Sequence, residues 1–281
     1  MKKIARVFPR KTKASPDDKL CFFGPPDLFT PNVDEVHISV TFTYDLPKVE
    51  FLEKQWSRLA PTKVGGPAFC KPGGEFTPGM YLKQGYVITS RGCPNHCWFC
   101  SVWKREPKLV ELEIKNGWNI LDDNLLACSE EHIQKVFKML GQHKGKVEFT
   151  GGLEAKLLKP WHTEEIRKLK TKQMFFAYDT EDDLDPLIEA GKLLKKVGYD
   201  LKTNHSCRCY VLIGFPKDTI EKAEVRLNQT IQAGFAPIAM LWKNEKGESQ
   251  KVWRQFQRTW ANPTILFSKI KIFLDNQTER Y

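Results

Sequence analysis

Residues 90–100 read Ser90-Arg91-Gly92-Cys93-Pro94-Asn95-His96-Cys97-Trp98-Phe99-Cys100, directly after a β-rich run at Tyr86–Ser90. The spacing Cys-x3-Cys-x2-Cys lets three thiols converge from one short loop. Iron–sulfur clusters are held by thiolates, usually four, so three local ligands without an obvious fourth leave one iron open. A zinc site would need His96 or a distant cysteine as its fourth ligand, and structural zinc sites normally pair two short knuckles. The other pair, Cys207-x-Cys209, has a one-residue spacing that suits two ligands poorly. Three unrelated buried thiols are the remaining alternative. Cys21, Cys70 and Cys128 are scattered. In a reducing compartment, clustered cysteines point to metal or catalysis rather than to disulfides.

Outward from this loop, short β-rich runs alternate with helical patterns. The strand candidates are Tyr86–Ser90, Trp118–Leu121, Val147–Thr150, Met174–Tyr178, Cys209–Ile213 and Ala236–Leu241. Their starts lie roughly 27 to 35 residues apart, the length of one βα unit. Ser129 can cap a helix with Ile133, Val136, Phe137 and Leu140 at i, i+3, i+4 and i+7, stopped by Gly141. Asp183 or Asp185 opens a segment carrying Leu187, Ala190, Leu194 and Val197, ended by Gly198. Asp218 precedes Ile220, Ala223, Leu227 and Ile231, ended by Gly234. Alternation of this kind predicts an α/β fold of parallel strands with crossover helices, a partial (β/α)6 barrel or a strongly curved open sheet. Its chemistry belongs at the C-terminal ends of the strands.

The first 83 residues read as one βαβ fragment behind a basic, Pro-rich arm, with strands at Val36–Phe42 and Lys63–Phe69 and a helix at Val49–Leu59. The expected organisation is therefore an arm plus βαβ appendage over 1–83, the barrel over 84–243 and a C-terminal helical cap over 244–281. A chain of 281 residues suits one such barrel with extensions. Its 41% hydrophobic and 28% charged residues exclude a disordered tail protein, a collagen and a coiled coil. The longest apolar run, Tyr210 to Phe215, is far short of the ~20 residues that span a bilayer. The start, MKKIARVFPRKTK, lacks the apolar stretch of a signal peptide. A cytoplasmic chain without a membrane partner is expected. Lys and Arg total 44 against 34 acids, a formal +10, and the first 13 residues hold six cations and no acid. Such a balance favours a polyanionic partner, nucleic acid first, with a merely soluble basic surface as the alternative.

The cysteine triad with its aromatic neighbour, at the end of the first strand of a six-unit array, resembles the radical S-adenosylmethionine (radical SAM) superfamily over about residues 84–243. The resemblance implies a [4Fe–4S] cluster on Cys93, Cys97 and Cys100, with the open iron chelated by SAM. Reduction of the cluster then yields a 5′-deoxyadenosyl radical that abstracts a hydrogen from substrate. It implies that Phe99 lies against the adenine and that Asp122, Asp123 and Asn124 hold the SAM amino group. Asp179, after Tyr178, would touch the ribose, and Ile213 and Gly214 would lie beside adenine. At the first glycine of that fifth-strand motif this chain has Tyr210 instead. Thr150-Gly151-Gly152-Leu153-Glu154 falls on the third strand with one residue more than the family's Gly-Gly-Glu, and reads as facing substrate or the SAM carboxylate. Helix caps or tight turns are the structural alternatives for these runs.

Some relatives carry a cobalamin-binding domain before the barrel, and Val36–Phe69 faintly resembles half of one. No Asp-x-His-x-x-Gly ligand loop occurs, so no cobalamin is expected. No cysteine follows Cys209, so no auxiliary cluster is expected. Trp253, Phe256 and Trp260, flanked by Arg254 and Arg258, read as a closing helix or as a base-stacking surface. The expected substrate is a nucleic-acid base or modified nucleoside, flipped out if it starts in a duplex. Hypermodified thymidine in phage DNA, which compact relatives rearrange, is one example. A small molecule or peptide is the alternative substrate, and a zinc-dependent nucleic-acid-binding protein the non-catalytic alternative. Glu154, Tyr178, Cys209 and its neighbour Cys207 are candidates for radical relay or proton transfer, and a flavodoxin or ferredoxin is the expected electron donor.

Overall fold

Ile4, Ala5, Val7 and Phe8 turn the basic N-terminal stretch into a strand. The computed structural model describes residues 2–71, 73–244 and 247–278, and the chain divides after Gly117 into two units. That line differs from the one drawn at residue 83 from composition. In the first unit, β1 (Ile4–Phe8), β2 (Cys21–Phe23), β3 (Glu35–Ser39) and β4 (Thr62–Gly65) form a parallel sheet in the order β2-β1-β3-β4. The expected arm and βαβ appendage are thus corrected to one four-stranded sheet, with the arm as a central strand. Val7 pairs with Ile38 and Ala5 with Val36, and all four are buried with Val40 and with Leu52 and Trp56 of α1 (Val49–Trp56). The Trp56 indole N–H donates to the Gly24 carbonyl at 2.9 Å, and its ring stands 5.0 Å from Phe22.

Three of the six cations of the N-terminal stretch are held in ion pairs inside this unit. Lys2 pairs with Glu35, Arg6 with Asp18, and Arg10 Nη2 donates to Asp45 Oδ1 at 2.7 Å. Gly66 shows why the chain turns directly after β4. Its φ is +111°, and a Cβ there would lie 2.6 Å from the Val40 carbonyl oxygen. The unit ends with β5 (Tyr86–Val87), β6 (Ser90–Arg91), α2 (Val102–Arg105) and β7 (Val110–Glu111). The strand expected at Tyr86–Ser90 is therefore split in two.

The second unit contributes β8 (Asn119–Ile120), β9 (Val147–Phe149), β10 (Thr171–Tyr178), β11 (Cys207–Ile213) and β12 (Ala236–Leu241), parallel and in the order β12-β11-β10-β9-β8. Crossovers run through α3 (Glu130–Gly141), α4 (Pro160–Lys168), α5 (Leu184–Lys196) and α6 (Ile220–Gln232). The Ser129 hydroxyl caps α3 by accepting from the His132 N–H. Thr219, one residue beyond the expected Asp218, caps α6. Side chains alternate along each strand. Met174, Phe176 and Tyr178 of β10 and Cys207, Cys209 and Val211 of β11 are buried. The Tyr178 hydroxyl donates to Gln229 on α6 at 2.8 Å, which marks this as the helix-covered face. Two helices, α7 (Lys251–Ala261) and α8 (Pro263–Thr278), supply the C-terminal cap. Trp253 and Trp260 are buried, so that part of the aromatic stripe is core.

Truncating Trp56 leaves a large void under the first sheet. Trp56→Ala should lower unfolding stability by about 3–5 kcal/mol, whereas Phe51→Ala, on the exposed side of α1, should change it by less than about 0.5 kcal/mol. Urea denaturation of both variants measures the difference.

Candidate functional site

The cysteine loop in the first unit is closed at its base by a short antiparallel ladder, Ser90 opposite Glu111 and Arg91 opposite Val110. Gly92 makes the turn out of that ladder at φ +83°, and a Cβ would fall 2.2 Å from the Lys108 carbonyl oxygen. Inside the loop the Cys97 carbonyl accepts from the Cys100 N–H and from the Trp103 indole N–H, both at 3.0 Å. The Val102 N–H lies 3.4 Å from Cys100 Sγ. Cys93, Cys97 and Cys100 are all half-buried and free of disulfides, and Phe99 meets Trp98 edge-on at 5.3 Å. Among the described residues no three His, Cys, Asp or Glu side chains crowd closely enough to hold a single metal ion. A cubane takes each thiolate on a different iron, so its ligands stand further apart than those around one zinc. Three half-buried thiols on one tight loop are a donor set that fits such a cluster.

In the second unit the loops after β8 and β9 interlock through their backbones. The N–H groups of Thr150 and Gly151 both donate to the Ile120 carbonyl, at 3.0 and 2.9 Å, and the Gly152 N–H donates to Asp122 at 3.0 Å. A Cβ on Gly151 would lie 2.2 Å from the Asp122 carbonyl oxygen, and one on Gly152 2.5 Å from that of Asp123. Only glycine permits this approach. It brings Asn124 Nδ2 to 2.6 Å from Glu154 Oε2, while Lys156 Nζ lies 2.6 Å from Glu154 Oε1. Asp122 and Asn124 are buried and Asp123 half-buried. Asp122, Asp123, Asn124, Gly151, Gly152 and Glu154 are thus brought together at one edge.

The ends of β10 and β11 form a second cluster. Asp179 accepts the Leu212 N–H at 3.2 Å. Burial, with the charge of Asp183 adding to it, pushes its carboxyl up to about 7. Gly214, at φ +73°, donates its N–H to Asp218 at 2.8 Å. Arg226 reaches up from α6 and donates to both the Leu212 carbonyl and Asp218, each at 2.9 Å. This ion pair is almost fully withdrawn from solvent. A cavity of about 990 Å³ opens here, lined among others by Gly214, Phe215, Trp242, Trp253, Arg254 and Gln257. Ile213 is fully buried beneath it.

Two expected catalytic residues lie elsewhere. Tyr178 and Cys209 face the helices, and burial holds the Cys209 thiol well above its ordinary range and pushes that of Cys207 up to about 12. Neither thiol is disposed to ionise, and the Tyr178 and Cys209 side chains lie on the helix-covered face of the sheet. Of the three, Glu154 is the one in a loop beyond its strand's end. Sequence reasoning missed Arg226. Its signal was a cation on the apolar stripe of Ala223, Leu227 and Thr230, which demands a buried partner.

Burial favours the neutral Asp179 acid, so the folded chain binds that proton more tightly than the unfolded chain. The wild type should therefore lose stability relative to Asp179→Asn as pH rises from about 4 to about 7, with a constant gap above that window. Melting curves of both proteins across this range test it; parallel curves would contradict the assignment.

No protein-family model and no curated protein sequence matches the chain. Solved structures match it in fold. One is the radical S-adenosylmethionine methyltransferase TsrM from Kitasatospora setae with cobalamin and a [4Fe–4S] cluster bound, at TM-score 0.60 and 10% identity over 86% of this chain and 75% of that one. Another is the same methyltransferase with tryptophan substrate and the SAM analogue aza-SAM, at TM-score 0.58 and 10% identity over 85% and 72%. No helix among the described residues is long and apolar enough to cross a membrane. The chain has the fold of the radical SAM proteins.

Proposed function

We propose that the chain is a radical SAM enzyme that cleaves SAM reductively and abstracts a hydrogen from its substrate. The observation that carries this reading is the pairing of the fold with the Cys-x3-Cys-x2-Cys loop of Cys93, Cys97 and Cys100. A [4Fe–4S] cluster on Cys93, Cys97 and Cys100 would supply one electron to SAM, from a flavodoxin- or ferredoxin-type donor, and release the 5′-deoxyadenosyl radical. The carboxylates of Asp122, Asp123 and Glu154, with the Asn124 amide, suit an ammonium group such as the SAM amine. Gly151 and Gly152 keep that edge flat enough for close approach. The buried Asp179 carboxyl, near neutrality, can accept from or donate to a ribose hydroxyl. Trp242 and Trp253 beside Gly214 offer apolar walls for adenine.

No step is routed through cobalamin. The sequence carries no Asp-x-His-x-x-Gly loop. Beyond the ends of β1 and β3, where an open parallel sheet takes its ligands, stand the Arg10–Asp45 pair and Phe42 stacked on Tyr44 at 5.1 Å.

For the substrate we favour a small molecule over a nucleic-acid strand. The nucleic-acid expectation rested on a basic arm and an aromatic stripe. Three of the arm's cations are held in ion pairs, and two of the stripe's three rings are buried. The formal charge of +10 remains, and it is consistent with an anionic substrate of either kind.

Anaerobic reconstitution with iron and sulfide, reduction, and addition of SAM should yield 5′-deoxyadenosine. Cys97→Ala should lose the cluster's brown chromophore and reduce the product by at least about 100-fold, because two thiolates no longer hold the cubane. Wild-type chain carrying a reduced cluster that leaves SAM intact would overturn the reading.

A further inference from the structure

The geometry points to the face of β10–β12 opposite the crossover helices as the substrate floor, built for a small planar molecule with an anionic group, a carboxylate or a phosphate. This inference rests on the enzyme reading above and adds the substrate class. The helices cover one face of the sheet, where Phe176 meets Phe235 at 5.1 Å and Tyr178 reaches Gln229. The other face presents Phe175 and Ala177 of β10, Arg208 and Tyr210 of β11, and Ile238 and Met240 of β12. By register, Phe175 lies opposite Arg208, Ala177 opposite Tyr210, and Tyr210 opposite Ile238.

A half-buried cation near the start of a strand, on the face opposite the helices, calls for an anion. Among the described residues Arg208 makes no ion pair; its guanidinium lies 5.8 Å from the Phe175 ring. The carboxylate of Glu148, on β9 beyond β10, is already bound by Lys172 Nζ at 2.8 Å and Gln173 Nε2 at 2.5 Å. Arg208 is half-buried, so its charge is partly desolvated and a ligand anion would meet it with less competition from water.

The row above supplies the planar surface. Tyr210 stacks on Phe175 at 5.0 Å with ring planes 16° apart, which fixes its orientation. Beside it the small Ala177 is exposed, and Met240 stays 37% exposed across the next strand. A ring laid over Ala177 leans on Tyr210, and an acidic arm extends down the strand to Arg208. The other end of the ligand points up the strand toward Asp179 and Gly214, where the proposed SAM site begins. From Arg208 to Leu212 the strand runs about 13 Å at roughly 3.3 Å per residue, a length that suits one ring system and a short arm.

Isothermal titration calorimetry on the full-length, cluster-loaded chain tests this with two acids and their neutral counterparts: indole-3-acetate against indole-3-acetamide, and thymidine 5′-monophosphate against thymidine. At least one acid should bind about tenfold or more tightly than its neutral partner, and which one does so separates carboxylate from phosphate. Arg208→Gln should abolish that preference, Arg208→Lys should restore part of it, and Tyr210→Ala should weaken acid and neutral ligand alike. Unchanged iron content would show that the variants are intact. Equal binding of acid and neutral ligand, a preference that survives Arg208→Gln, or no binding of any of the four would overturn the proposal. The readout is independent of SAM cleavage. A chain that keeps the acid preference yet fails to cleave SAM refutes the enzyme reading and leaves the binding face standing.

Discussion

Two parallel strands cannot be joined by a tight turn, and that constraint shapes the second unit. Each crossover carries the chain back over one face of the sheet, so α3 to α6 accumulate on that side. The helix-facing positions become a dry core of Phe149, Met174, Phe176, Cys209 and Val211. The opposite positions are left for something other than a crossover helix. Every strand also ends at the same edge, so the irregular loops that follow β8 to β12 are gathered there. Function at that edge is a consequence of connectivity before it is a consequence of any particular side chain.

How close those loops come is decided by what is absent from them. Gly151 and Gly152 let the chain after β9 lie against the backbone after β8, nearer than any Cβ allows. The Asn124–Glu154 contact follows from that approach. At the neighbouring strand ends a buried ion pair has the corresponding task, because Arg226 ties Asp218 and the Leu212 carbonyl to α6. Removing either partner would strand a charge in the interior, a cost of roughly 3–5 kcal/mol. Arg208 differs from Arg226 in this respect: it is half withdrawn from water, and among the described residues no carboxylate pairs with it.

Features encoded within a few residues were legible. The Cys-x3-Cys-x2-Cys loop, the Ser129 cap and the strand–helix alternation all depend on near neighbours. The helix α4 was not read because, in Pro160–Lys168, Ile166 is its one fully buried aliphatic residue, too sparse a stripe to stand out. β1 was read as an arm because Lys2, Lys3, Arg6 and Arg10 mask its apolar residues. The acids that receive Lys2, Arg6 and Arg10 lie 12 to 35 residues away. Tyr178 ends β10 and Cys209 lies near the start of β11, but which face each side chain takes is a matter of register, and one step in register reverses it.

The sequence by itself determined the parallel α/β class, the strand order along the chain and the three-thiol loop, since periodicity and spacing are local properties of the chain. The tertiary structure decided which residues meet. It put the aspartates after β8 onto the glycines after β9, drew Arg226 under Gly214, turned Cys209 toward the helices and set Arg208 beside the Tyr210–Phe175 stack on the other face. Those outcomes depend on contacts between segments some 14 to 50 residues apart, whose register is set by packing and not by any one segment's own pattern.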